Sequence, residues 1–355
     1  MRKKRGGPRS YYDTFVNYLS IMHNEAINLL KTLDSNDREY ILSVFFREYY
    51  GTPKEHYWSI TKLFRHAMYI PMFLQIGRRY FRELVYIDTH SGPGLAKIGS
   101  DDDEIVLGSP LIALRWPQIV ASKVSHFRSI QEGFTRLYFI EKLPKTHGVL
   151  YVLKKKLDNS DKATVKCGDA NEELLKIRIP KHSLVYIFMD PYGGLDAQIR
   201  IDVLTKFTND NPRIDMMVSL FASNIARGLS GIKDPEKRLD KVLELLGENF
   251  CDLGCAPTSL CNGHGNVSID DILNAYLCAL ENLGLNVAAS MPVRFEKGIL
   301  YYTILATTHK NAEWIKGYVE YINTKSPQDY TTLKNLWLKA SGKQKGLDKW
   351  YNVKP

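Results

Sequence analysis

The sequence predicts an α/β protein: a doubly wound, mostly parallel, Rossmann-like sheet with helices before it and an antiparallel hairpin after it. Three observations carry this. From Leu84 onward, short β-branched and aromatic runs appear, "LVYID", "RLYFIE", "ATVKCGD", "SLVYIFMD" and "IDMMVSLF", each apolar nearly throughout, as strands covered on both faces are. The stretches between them are helix-like and long enough for crossovers, which favours parallel pairing. The runs also end on acids almost every time, at Asp88, Glu141, Asp169 and Asp190. In an open parallel sheet that is where ligands bind.

The first 80 residues read as helical. Apolar positions in "YDTFVNYLSIMHNEAINLLKTL" recur at three and four, and "SNDREYILSVFFREYY" opens with a Ser/Asn/Asp capping cluster. A third helix, "WSITKLFRHAMYIPMFLQIGRRYF", contains Pro71 and is expected to kink or divide there. "GSP" at Gly108 to Pro110 suits a helix start, with Ser109 as cap and Pro110 in the first turn. Residues 227–285 read as a helical insertion carrying "PEKRLDKVLELLGENF" and "SIDDILNAYLCALENLG". "VAASMPVRFE" and "GILYYTILATTH" then read as an antiparallel hairpin at the sheet edge. The organisation is therefore an N-terminal helical region over 1–80, a Rossmann-like domain over 81–320 and a basic tail over 321–355.

The chain has 355 residues, 44% hydrophobic and 25% charged, as ordinary globular proteins do. No apolar run reaches the roughly 18 to 20 residues of a membrane span. The charged N-terminus runs into an amphipathic segment and not a short apolar core, so a cytoplasmic location is expected. Net charge is +9, from 48 Lys and Arg against 39 Asp and Glu, which permits a polyanionic partner without demanding one. Cys251, Cys255 and Cys261 cluster in "CDLGCAPTSLCNGHG" with His264 behind them. Ordinary free thiols are the leading reading, with a disulfide or a zinc site as alternatives; the spacing matches no common zinc pattern.

At the strand ends, Gly92 and Gly94 lack Cβ atoms, so backbone can turn sharply and approach a ligand. The loop lacks the full G-x-G-x-x-G pattern, which argues against a dinucleotide pyrophosphate. Glu141 suits the two ribose hydroxyls of a nucleoside. Asp169 in "CGDAN" reads either as a contact to adenine or as a helix N-cap. In "MDPYGG", Asp190 can accept from a planar amine while Tyr192 stacks on its ring.

In this order, "DTHSGPG", "GSPLIAL", "YFIEK", "GDANE", "MDPYGG" and "YYTILATTH" resemble the three-Cys-motif partner proteins, over roughly Trp58 to Val319. The family's core is similar to class I S-adenosylmethionine-dependent methyltransferases. That resemblance implies Asp88, Gly92 and Gly94 beside the methionine moiety, with His90 where the family commonly carries an aromatic. It implies Glu141 on the ribose, Asp169 with Ala170 at adenine, and Asp190, Pro191, Tyr192 and Gly193 as the catalytic tetrad. The implied partner is a radical-SAM-like three-Cys-motif protein. The function expected is methyl transfer from S-adenosylmethionine to an exocyclic amine, with nucleic acid as its expected carrier. A non-catalytic cofactor- or nucleic-acid-binding partner is the alternative. A metal-dependent nuclease drawing on Asp101, Asp102, Asp103 and Glu104 is the lesser one.

Overall fold

The computed structural model describes residues 12–45, 56–191, 193–263, 266–289, 292–295, 298–310 and 312–343. Three helices come first: α1 (Asp13–Thr32), α2 (Ser35–Leu42) and α3 (Trp58–Tyr80). Strand β1 (Glu83–Asp88) follows, then a small hairpin of β2 (Leu95–Lys97) and β3 (Ile105–Leu107). Helices and strands then alternate as α4 (Ser109–Lys123), β4 (Arg136–Glu141), α5 (Pro144–Leu157), β5 (Ala163–Cys167), α6 (Ala170–Lys176), β6 (Ser183–Met189), α7 (Ile201–Asp210) and β7 (Ile214–Leu220). Next come α8 (Ala222–Gly231), α9 (Pro235–Leu246), α10 (Thr258–Cys261) and α11 (Ile269–Asn282). The chain continues through β8 (Asn286–Ala289), β9 (Val293–Phe295), β10 (Gly298–Thr307), α12 (Glu313–Lys325) and α13 (Tyr330–Ala340).

The main sheet has the order β5-β4-β1-β6-β7-β10-β8. Pairs from β5 to β7 are parallel, and β10 runs antiparallel to both β7 and β8. The chain moves outward from β1 through β4 to β5, then returns to lay β6 on the other side of β1. Connections on the two sides of β1 diverge, so the crevice between β1 and β6 is the switch point where such sheets bind ligands. The hairpin expected at the edge is present in part: β10 lies inside the sheet, and β8 is the edge.

Successive side chains of a strand point to opposite faces. Leu84 and Tyr86 of β1 enter one apolar layer, with helices α1, α3 and α4, and Val85 and Ile87 enter the other, with α7, α8 and α11. Burial of β1 residues on both faces explains why it reads as a continuous apolar run.

Three expectations change. Helix α3 runs unbroken from Trp58 to Tyr80 with Pro71 inside it; the face from Ile60 to Leu74 is buried, and that burial offsets the ~3 kcal/mol such a proline costs. The stretch from 321 is no free tail as far as it is described, because it completes α12 and forms α13. There Trp337 is fully buried, its indole N–H donates to Glu104 Oε1 at 3.0 Å, and Lys343 Nζ reaches Asp101 and Asp103 at 2.8 and 2.7 Å. The acidic run thus anchors the C-terminal helix.

Thirdly, the clustered cysteines are not free thiols: Cys251, in the turn after α9, pairs with Cys261 of α10, and Cys255, before α10, pairs with Cys278 of α11. His264, which a zinc site would use, lies outside the described residues. No helix is long and apolar enough to cross a membrane among the described residues.

Candidate functional site

The loop after β1 is stitched to both neighbours. Thr89 N–H donates to the Phe188 carbonyl of β6 at 3.1 Å, and Ser91 N–H to the Ile140 carbonyl of β4 at 2.9 Å. Gly92 and Gly94 then adopt φ of +59° and +85°, where a side chain would be strained. A Cβ on Gly94 would also sit 2.9 Å from Leu150 Cδ1. The glycines thus let the chain reverse against α4 and α5, which leaves the Gly92 backbone facing the crevice.

Asp88 does not face that crevice. It is completely buried, with Oδ2 accepting from the Tyr86 hydroxyl at 3.1 Å and Oδ1 from the His90 amide at 3.2 Å. Burial pushes its carboxyl up to about 7, against the opposing hydrogen bonds from Ser109 and His90. Ser109 therefore serves Asp88 and not the helix end; the residue preceding α4 is Gly108, which has no side chain to cap with. Behind Asp88, His66 is buried, with Nδ1 2.9 Å from the Tyr186 hydroxyl and Nε2 3.3 Å from the Ser109 carbonyl. Burial lowers its pKa to about 3, so the imidazole is neutral. Since a carbonyl only accepts, Nε2 carries the proton and Nδ1 accepts from Tyr186.

His90 bridges two loops by the same logic: Nε2–H donates to the Ala197 carbonyl at 3.0 Å, and Nδ1 accepts from Thr89 Oγ1 at 2.8 Å. Burial lowers its pKa to about 4 and keeps the ring neutral. It ties the loop after β1 to the turn after β6.

Glu141 ends β4, is 7% exposed and lines the crevice. Oε1 accepts the Leu143 amide at 2.8 Å. Burial raises its pKa, while backbone hydrogen bonds from Leu143, Gly92 and Lys142 pull the other way. Asp169 meets its capping reading, accepting from the Asn171 amide at 3.0 Å at the start of α6; it also lies on the crevice wall, where Lys142 Nζ meets it at 3.0 Å.

Asp190 follows β6. Its Oδ2 pairs with Lys62 Nζ from α3, and its Oδ1 is buried with no hydrogen-bond partner among the described residues. Lys62 also lies 5.7 Å from the centre of the Phe221 ring.

These residues meet in one cavity of about 760 Å³ across the switch point. His90, Gly92, Glu141, Asp169, Ala170 and Asp190 all line it, joined by Ser59, Lys62 and Leu63 from α3. Asp88 and Gly94 lie behind its wall. A second cavity of about 500 Å³ adjoins it at Gly194 and is lined by Trp58, Gly193, Phe221, Asn224, Arg227, Gly228 and Leu300. Gly193 thus belongs to the second space, Pro191 lines neither, and Tyr192 lies outside the described residues. Among the described residues no group of three or more His, Cys, Asp and Glu is placed to hold a metal ion. Asp101 and Asp103 are engaged by Lys343 instead.

The strand-end rule found the acids and missed α3. Its signal was present as Lys62, Arg65 and His66, three basic residues at helical spacing inside the largely apolar first four turns of the helix, all buried. Polar groups at buried helix positions demand partners, and these partners lie over the carboxyl ends of the strands and in the layer beneath them.

No family model matches the chain, and no curated protein matches it either. Among solved structures it is similar to a protein from Legionella pneumophila str. Philadelphia 1, at 14% identity over 76% of this chain and 94% of that one, with a TM-score of 0.43. A precorrin-6y C5,15-methyltransferase from Geobacter metallireducens GS-15 is similar at 13% identity over 68% and 87% of the two chains, with a TM-score of 0.33. The M. jannaschii protein TYW2 in complex with AdoMet is similar at 12% identity over 68% and 74%, with a TM-score of 0.29. The Rossmann-like class of this chain rests on its own strand order.

Proposed function

We propose that the protein transfers a methyl group from S-adenosylmethionine to an exocyclic amine of a nucleic acid base. The observation that carries this reading is the single cavity along which Glu141, Asp169 and Asp190 are ranged beside the open backbone of Gly92. Its volume falls within the roughly 300–1,000 Å³ of pockets that hold cofactor-sized ligands.

The side chains fit the cofactor by charge. Carboxylates of Glu141, Asp169, Asp190 and Asp196 line the cavity against the ammonium groups of Lys62 and Lys142, each already engaged by an acid. A pyrophosphate would meet like charge there, whereas a sulfonium-bearing adenosine meets an acidic wall. When bound, S-adenosylmethionine supplies an activated methyl group: the acceptor nitrogen's lone pair forms the new N–C bond while the S–C pair returns to sulfur, leaving a neutral thioether.

The chain's own work is then binding and alignment. Glu141 accepts from the ribose hydroxyls, and Asp169 with Ala170 bounds the adenine end. Asp190 Oδ1 accepts an N–H of the acceptor, which turns the nitrogen's lone pair toward the methyl group. The proton given up on methylation passes to the same oxygen. His90 holds the two loops together around the cavity.

The test is tritium transfer from labelled S-adenosylmethionine to tRNA, rRNA, DNA and total protein, presented together. Label in a nucleic acid base amine is expected and is lost in Asp190→Ala. Binding without transfer to any of them would leave a cofactor-binding partner protein, and would contradict catalysis.

A further inference from the structure

Lys62 lies on a helix that precedes the whole sheet, yet it is a wall of the cavity. It is 8% exposed, and its ammonium reaches Asp190 Oδ2. The start of α3 is fixed over the strand ends by the Tyr301 hydroxyl of β10, which donates to the Trp58 carbonyl at 2.8 Å. One turn on from Trp58, which lines the second cavity, Lys62 lines the first.

Pairing has two consequences for Asp190. Its charge is matched by a buried cation, and it is left with one buried oxygen, Oδ1, that has no partner among the described residues. A buried acceptor without a donor is expensive, so an N–H delivered to Oδ1 is favoured. A second ammonium is not: desolvating an alkylammonium requires an unmatched carboxylate, and Asp190 is already matched.

The second cavity agrees. Trp58, Phe221 and Leu300 give it flat and apolar walls, suited to stacking on a ring. The charged side chain lining it is the exposed guanidinium of Arg227, which repels a cation and suits a phosphate.

We infer that Lys62 is a specificity-determining residue of the acceptor site. By neutralising Asp190 and leaving it a single free acceptor atom, Lys62 selects a neutral ring amine carried on a polyanion and excludes the alkylammonium of a lysine side chain. This inference rests on the methyl-transfer reading above.

The experiment compares wild type, Lys62→Met and Lys62→Arg, first for S-adenosylmethionine affinity by calorimetry, then for tritium transfer to tRNA and to poly-L-lysine side by side. Wild type should label tRNA and not poly-L-lysine. Lys62→Met should hold the cofactor within about threefold but transfer to tRNA at least about 30-fold more slowly, mainly through kcat, because the aligned acceptor is lost.

Lys62→Arg, which keeps the charge, should restore transfer. Should Lys62→Met not fold, the wild-type choice between the two probes and the Lys62→Arg rate still decide the matter.

Wild-type labelling of poly-L-lysine in preference to tRNA would overturn the inference. So would a folded Lys62→Met that matches wild type in rate, or cofactor binding without any tRNA labelling. No cofactor binding by wild type would instead bring down the methyl-transfer reading itself, and the inference with it.

Discussion

Asp88 and Asp190 finish neighbouring parallel strands, and in sequence they look alike, each an acid closing an apolar run before a proline- and glycine-bearing turn. Their surroundings differ. Asp88 is sealed in, with Tyr86, the His90 amide and Ser109 hydrogen-bonded to it. Asp190 stands on the cavity wall, one oxygen held by Lys62 and the other without a partner. What separates them is the layer above. The start of α4 brings Ser109 over β1, and the start of α3 brings Lys62 over β6, so a strand-end carboxylate becomes structural or chemical according to the helix packed on it.

The largest expected effect breaks the pair apart by activity. Asp190→Ala should lower methyl transfer by about a thousandfold, some 4 kcal/mol of lost alignment, while cofactor affinity stays within about threefold. Single-turnover rates set against calorimetric affinities would check the split. A loss of cofactor binding of the same size would instead put Asp190 on the cofactor side.

Next in size is a pH effect on stability. The Asp88 carboxyl is raised from its ordinary 3.8 to about 7, so between those values the folded chain keeps a proton that the unfolded chain has released. Stability carried by this group is full below about pH 4, falls as pH rises toward 7, and is flat beyond. His66 and His90, lowered to about 3 and about 4, act oppositely: the unfolded chain takes up protons the folded one refuses, so their contribution grows as pH rises toward 6.5. The Asp88 contribution is therefore read as a difference. Asp88→Asn should gain about 2 kcal/mol relative to wild type between pH 5 and 8, by denaturant titration at each pH. A difference that does not change with pH would mean Asp88 is ionised throughout.

The smallest effect sharpens the same contrast. Tyr86→Phe removes one donor to a buried carboxylate and should cost about 1–2 kcal/mol of stability with cofactor affinity unchanged. Chemical denaturation alongside calorimetry would show it, and a fall in affinity without a fall in stability would contradict the structural role given to Asp88.

Much of the fold was legible because its signals are local. The apolar runs from Leu84 to Phe221 became β1, β4, β5, β6 and β7, since burial on both faces writes itself into consecutive residues. The acids at Glu141, Asp169 and Asp190 were legible as a group because a parallel sheet gathers its carboxyl ends at one edge. What escaped depends on contacts remote in sequence. Lys62 meets Asp190, Trp337 meets Glu104 and Cys255 meets Cys278 across elements whose docking no spacing rule encodes. Asp88 misled for a related reason: its spacing to the glycines suits a ligand loop, but Tyr86, the His90 amide and Ser109 at the start of α4 hold its carboxylate inward.

Titration of S-adenosylmethionine into the full chain, repeated with Glu141→Ala, bears most directly on the cavity. Wild type should release heat on binding, and the variant should bind about 10- to 100-fold more weakly, the equivalent of one charge-assisted hydrogen-bonded pair to the ribose. Absence of binding by wild type, or equal affinity in Glu141→Ala, would contradict the assignment of that cavity to the cofactor.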